Sequence, residues 1–231
     1  VLIFCQLLVN LISPHLFDWH TPGVLSLLAL CGILSLITSQ LSIRVRLFLL
    51  TLISVSPFII ADYFTVNLSW SLRISSNDFS VWISRLFVSG TYPLFPWLSF
   101  FILGGLINDL ANESRIKMGV VLSLFSIIIL VYAFTNKLTW ALTSGDALLT
   151  FFPTSTAFVI TAMTGVLLIH EILIFSNKWN EESIYYRGLT HMGSLSLTIY
   201  VLHFIPFTIY KLSDFDVDFD MLQSFLIILS Y

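Results

Sequence analysis

Charge is what this sequence has least of. Asp, Glu, Lys and Arg together make up 10% of its 231 residues, against roughly 25% in a soluble domain. A chain so poor in charge cannot cover a water-facing surface. That excludes an ordinary soluble globular protein. The basic residues are scattered and form no stripe, and the formal net charge is -3. A nucleic-acid partner is therefore excluded. Cysteine is nearly missing as well. Cys5 and Cys31 lie inside apolar runs, in no CxxC pattern. They read as buried free thiols, which argues against a disulfide framework or a zinc site. P-loops, dinucleotide fingerprints and nucleophile elbows are absent, and no repeat of fixed period or low-complexity tract occurs. No metal site is expected. Asp214, Asp216, Asp218 and Asp220 alternate with Phe and Val, but a calcium loop needs Gly at its sixth position, where Phe219 stands.

What the sequence has is apolar surface: 57% hydrophobic residues, 21 of them Phe. Runs near the ~20 residues of a bilayer crossing fall at 1–13, 22–39, 46–64, 92–107, 117–134, 155–175 and 194–210. Their length favours helices over the ~10-residue alternating strands of a barrel. The expected fold class is all-α, a polytopic transmembrane bundle with about seven spans and a partial eighth beginning at Met221. Residues 1–231 form a single membrane domain. Val1 opens within an apolar run, the final run is too short to cross, and no signal peptide is recognisable; the chain reads as a fragment of a longer protein. Thr21-Pro22-Gly23 suggests an N-cap before Pro at the first helical position, and Pro57 predicts a kink.

The lipid bilayer is the expected partner, with homo-oligomerisation left open. A multi-pass protein of a prokaryotic plasma membrane is the simplest location. Lys and Arg in short loops set the orientation. Arg44, Arg46, Arg115, Lys117, Lys178 and Arg187 fall on one side; Arg73, Arg85, Lys137 and Lys211 fall on the other, over longer loops. Loops 40–46, 108–117 and 176–190 are thus expected in the cytoplasm. Segments 65–91 and 136–152, with Trp70, Trp82 and Trp140, are read as short interfacial helices outside.

Ionisable groups at membrane depth are functional candidates. His203, the neighbours His170 and Glu171, and Asp62 qualify. For each the competing reading is structural: an interhelical bond, a snorkelling side chain or an interface position. Adjacent residues on a helix point about 100° apart, so His170 and Glu171 are not expected to act as one pair. His15, Asp18 and His20 could bind a metal or run acid–base chemistry; a polar turn explains them as well. The densest pattern is Tyr92-Pro-Leu-Phe-Pro-Trp97 followed by Gly104-Gly105 and Asn108-Asp109. Trp97 reads as an interface anchor, and the glycines permit close approach of a helix or ligand. Tyr92, Trp97, Gly104, Gly105 and Asn108 are therefore packing or substrate-lining candidates.

This fourth run resembles the "PLLPW…G" element of the heparan-α-glucosaminide N-acetyltransferase-like family of integral membrane proteins. Trp19-His-Thr-Pro-Gly-Val-Leu25, with Leu28 and Gly32, is similar to its "GVL(H/Q)…IGL" span. Ser194-Leu-Ser-Leu-Thr-Ile-Tyr-Val-Leu-His203 resembles "LSLTIYLLH", and Phe152-Pro153-Thr-Ser155 resembles a "PPS" element. The resemblance covers residues 19 to 205. It implies an enzyme, a membrane-bound acyltransferase moving an acetyl group from acetyl-CoA to an amino sugar or other glycan. The family's early spans, with an Arg-Gly element and a proposed acyl-transfer His, have no counterpart after Val1. His203 is the catalytic candidate that remains. Arg44, Arg46, Arg115 and Lys117 are the cations available for CoA phosphates on the cytoplasmic side. A small-molecule or lipid transporter or flippase, and a non-catalytic scaffold, are the competing functions. A transporter predicts inverted repeats in matching halves, which the sequence does not show.

Overall fold

A computed structural model describes residues 1–60, 69–144, 147–176 and 184–212. The chain is mostly helical. In order come α1 (Leu2–Ile12), α2 (Val24–Thr38), α3 (Ile43–Ser54), α4 (Ser56–Ile60), α5 (Trp70–Ile74) and α6 (Phe79–Ser84). A π-helical turn, Arg85–Ser89, continues α6. Then follow α7 (Leu94–Asp109), α8 (Asn112–Thr135), β1 (Ala141–Ser144), β2 (Leu149–Phe152), α9 (Thr156–Ser176), α10 (Ile184–Ser194), α11 (Ser196–Leu202) and α12 (Phe204–Leu212).

Each apolar run is helical where it is described, but length separates them. α8 and the stretch Thr156–Phe175 of α9 are long and apolar enough to cross a membrane, with hydropathies of 2.4 and 2.1. Only 11% and 22% of those stretches are buried in the protein, so Val120, Leu124, Ile128 and Ile172 present bare apolar surface. α6 with its π turn and α7 together meet the same test, bent by 46°. α1 and α2, at 11 and 15 residues, fall short of a bilayer core about 30 Å thick at about 1.5 Å per residue. Among the described residues the structure thus has two candidate spanning helices, or three with the bent pair counted. The eighth run, Lys178, Asp62 and the Asp214–Asp220 series lie outside the described residues.

α7 is the axis of the bundle. Leu94, Leu98, Ile102, Leu103, Leu106 and Ile107 are all buried against α2 (Leu27, Cys31), α3 (Leu50, Ile53) and α9 (Val159, Met163, Leu167). Polar side chains tie neighbours together, as is usual where lipid removes any hydrophobic drive between helices. Ser126 and Thr164 share a hydrogen bond of 2.7 Å between α8 and α9. Cys5 is half-buried and Cys31 buried, both as free thiols.

Local breaks have chemical causes. Pro57 has no N–H to give the Ile53 carbonyl; the Ser56 hydroxyl donates to that carbonyl instead, at 2.7 Å. The helix consequently divides into α3 and α4, as the sequence predicts. Phe95 leaves helical geometry (φ -97, ψ 118) because the following Pro96 disfavours it. Pro206 likewise withholds a donor from the Leu202 carbonyl, and the chain turns at His203 between α11 and α12.

Two expectations are corrected. Thr21 does not cap α2. The helix begins at Val24, and its free Leu25 N–H donates to Oε1 of Gln6, reaching over from α1 at 3.0 Å. Thr21 instead donates to the Ile74 carbonyl of α5 at 2.8 Å. Residues 136–152 are not an interfacial helix. They form a two-stranded parallel ladder, with Ala141 opposite Leu149 and Ser144 opposite Phe152. That pair also departs from an all-α fold. Segment 65–91 does hold the short helices expected of it, α5 and α6.

Gly23 is where the Gln6 side chain of α1 meets the entry to α2. A Cβ there would stand 2.6 Å from Nε2 of Gln6, whose side chain is 4% exposed and has no space to retreat. Gly23→Ala is expected to lower stability by about 1–3 kcal/mol, read as a lower thermal unfolding midpoint in detergent. An unchanged midpoint would show that Gln6 relocates freely.

Candidate functional site

The helices run up and down, so their termini gather at two ends. Loops 40–46 and 108–117 and the end of α9 meet at one, the Asp109 end. The α1–α2 turn, the start of α7 and the start of α9 meet at the other, the Tyr92 end.

Ion pairs close the Asp109 end. Arg46 Nη1 lies 2.6 Å from Asp109 Oδ2, joining α3 to α7. The Arg46 side chain is 7% exposed and that of Asp109 40%. Arg46 Nε is buried without a hydrogen-bond partner. Arg115 binds Glu171 through Nε and Nη2, joining α8 to α9, and also donates to Asn112 at 2.9 Å. Lys117 pairs with Glu113 one turn away at 2.7 Å, fully in the open. Of the four cations considered for CoA, only Arg44 forms no ion pair among the described residues. His170 and Glu171, not expected to serve as one pair on one face, make the contact of a structural pair: Nδ1 and Oε1 are 3.3 Å apart. The Glu171 carboxylate curls back beside the ring while holding Arg115. Gly105 faces the Arg46 guanidinium, 3.6 Å from where its Cβ would be, whereas Gly104 looks onto open space. Asn108 is exposed and donates to Asp109 at 3.0 Å.

Aromatic rings fill the Tyr92 end. Trp97 packs on Phe151 (5.1 Å between centroids), Tyr92 (5.8 Å) and Phe158 (6.2 Å). Tyr92 packs on Phe152 (5.7 Å), Phe152 on Trp70 (5.5 Å), and Trp70 on Phe17 (6.1 Å). Phe17 meets Phe204 at 6.0 Å, and Phe204 lies 4.1 Å from the His203 ring. His203 Nδ1 bonds the Tyr200 carbonyl. A carbonyl only accepts, so Nδ1 carries a proton. Trp97 Nε1 is buried without a hydrogen-bond partner.

Gln6 and Asn10 were missed by sequence reasoning. Gln6 Nε2 donates to Asn10 Oδ1 at 2.9 Å; Asn10 donates to the carbonyls of Trp19 (3.1 Å) and Thr21 (2.9 Å). Two amides spaced i, i+4 within an apolar run were the available signal. His15, Asp18 and His20 do not converge, and among the described residues no three His, Cys, Asp or Glu side chains do. A shallow apolar cavity of about 540 Å³ lies beside Leu130, Phe134 and Trp140, away from every candidate above.

Comparison with known proteins gives no family to lean on: no family model, curated protein or solved structure matches the chain.

Proposed function

We propose that this chain belongs to an integral membrane acyltransferase of the heparan-α-glucosaminide N-acetyltransferase-like kind. It moves an acetyl group from acetyl-CoA to the amine of an amino sugar or other glycan. The observation that supports this reading is convergence. The stretches around Pro22, Tyr92–Trp97, Phe152–Ser155 and His203 lie far apart in sequence and meet at the Tyr92 end. Thr91 donates to the Pro22 carbonyl at 3.3 Å, and the ring series joins Tyr92 to Phe152 and onward to Phe204 beside His203.

On this reading the acceptor nitrogen attacks the thioester carbonyl. A C–N bond forms, the C–S bond breaks, and the CoA thiolate leaves and takes up a proton. Nε2 of His203 receives the proton that the amine loses. The unpartnered Trp97 Nε1–H is suited to the negative charge that develops on the thioester oxygen. At the Asp109 end the donor set is thinner than the sequence suggests, because Asp109 and Glu171 already neutralise Arg46 and Arg115. Arg44 and Lys117 are the better placed for CoA phosphates. The 16 residues of α7 separate the two ends by about 24 Å, which the pantetheine arm has to cover. The reading takes α1, α2, α3 with α4, α7, α8, α9 and α11 with α12 as seven spans in a prokaryotic plasma membrane.

The test is direct. The purified protein in detergent, given acetyl-CoA and glucosamine, is expected to yield N-acetylated sugar by mass spectrometry. No acetyl-CoA binding at millimolar concentration would defeat the proposal.

A further inference from the structure

The C-terminal end of α8 is closed by its own backbone. The Leu138 N–H donates to the Ala133 carbonyl at 3.0 Å, and the Lys137 N–H donates to the Phe134 carbonyl at 3.3 Å. This pair of bonds ends a helix with the residue after its cap in the left-handed region. That residue is Lys137, at φ 53, where glycine or asparagine is usual. The reversal folds Leu138 and Trp140 back beside the last turns of α8. With Leu130, Ala133, Phe134 and Lys137 they line the cavity of about 540 Å³.

Every lining residue but Lys137 is apolar. A soluble polar ligand would leave its own polar groups without partners there. The volume lies within the ~300–1,000 Å³ of small-molecule sites. Among the described residues the Lys137 ammonium makes no hydrogen bond or ion pair. Arg46, Arg115 and Lys117, at the Asp109 end, each hold a carboxylate instead. The cavity also has an open approach. Ile127, Leu130 and Phe134 fall on one side of α8 at helical spacing, and all three are exposed. They continue the bare apolar surface of a helix long enough to cross a membrane. Lys137 and Trp140 follow just past its end, where chain meets headgroup and such residues settle. An apolar chamber open to lipid, with a single unmatched cation at its rim, complements a long apolar chain that carries negative charge at one end.

We propose that this cavity binds one anionic phospholipid, its acyl chain along Leu130, Phe134 and Trp140 and its headgroup phosphate on Lys137. A zwitterionic headgroup carries its own cation beside the phosphate, so it gains less from Lys137. Preference for a net negative headgroup is therefore the mark of the site, since an apolar groove alone takes both lipids equally. Such a site requires α8 to cross the bilayer; it requires nothing of the acyl-transfer chemistry.

The whole protein in neutral detergent is titrated with brominated-chain phosphatidylglycerol and, separately, with brominated-chain phosphatidylcholine, and tryptophan quenching is followed. The share of Trp140 is the difference between the native chain and Trp140→Phe. Phosphatidylglycerol is expected to half-quench Trp140 at an about fivefold lower mole fraction than phosphatidylcholine. Lys137→Asn removes the charge at a backbone conformation that asparagine accepts, and it is expected to make the two lipids equal. Phe134→Ala, at a side chain 90% exposed, is expected to weaken both lipids about three- to tenfold. It serves if Lys137→Asn does not fold. Trp140 left unquenched, as when a second copy of the chain covers the cavity, would overturn the proposal. So would equal quenching by the two lipids, a preference that Lys137→Asn retains, or an unchanged titration in Phe134→Ala.

Discussion

If the chain is the proposed acyltransferase, replacing His203 with Gln is expected to reduce acetyl transfer by about 10²–10⁴-fold, the range for loss of a general base, while the protein stays folded. Gln retains an N–H that can reach the Tyr200 carbonyl, so the joint between α11 and α12 keeps its local bond. What it loses is the basic Nε2 that this reading uses. The reduction is expected in kcat, with the KM for acetyl-CoA nearly unchanged, because His203 lies far from the cations at the Asp109 end. The ring is held on two sides, by Phe204 at 4.1 Å and Tyr200 at 5.2 Å. A positioned imidazole of this kind does not need to be reorganised during reaction. A loss smaller than tenfold would remove His203 from the chemistry and leave it a structural residue at a helix break.

The second large effect concerns stability. Asp109→Ala is expected to destabilise the protein, by less than the loss of a fully buried pair because the Asp109 side chain is 40% exposed. The loss comes from what is left behind. Arg46 keeps its charge in a site where its side chain is 7% exposed and where Nε already lacks a partner. Water and lipid headgroups reach only part of it. Arg46→Met in the same background is expected to restore most of the loss, since an apolar side chain of similar length suits the surroundings of Leu50, Leu106 and Gly105. Denaturation in mixed detergent, carried out on the two single variants and the double, measures the coupling. A double variant as unstable as Asp109→Ala alone would mean that the charge of Arg46 was not the cause.

Much of the helical layout was legible because lipid-facing helices need nothing from elsewhere in the chain. α8 and α9 are apolar on nearly every side, and their extent can be read from Asn112 and Ser176 inward. The break at Pro57 was legible for a similar reason: a missing N–H acts on its own carbonyl four residues back. Features that depend on a second element were not. The start of α2 could not be placed from Thr21-Pro22-Gly23, because its cap is Gln6, a side chain of another helix. Arg46 and Arg115 looked like free cations, because nothing local reveals that Asp109 and Glu171 fold onto them. The ladder at Ala141–Ser144 and Leu149–Phe152 was hidden by Trp140 and the Phe pair, which suit an interfacial helix equally well. At the candidate site the short motifs marked Tyr92, Trp97 and His203, but nothing local told that Phe17 and Trp70 would connect them: Trp70 read as an interface residue, and Phe17 lay in a turn with no pattern of its own.

The amides of Gln6 and Asn10 also bear on how the chain enters a bilayer. Alone in hydrocarbon, α1 would keep only the bond between its own two carboxamides, leaving Gln6 Oε1 and the Asn10 amino group without the partners they have here, at a cost on a helix of only 11 residues. Their partners are the Leu25 N–H and the carbonyls of Trp19 and Thr21, all supplied by the segment synthesised next. α1 is therefore a poor passenger by itself and a good one with α2 beside it. The turn at 13–23 and the Gln6–Leu25 bond hold the two helices together as a hairpin.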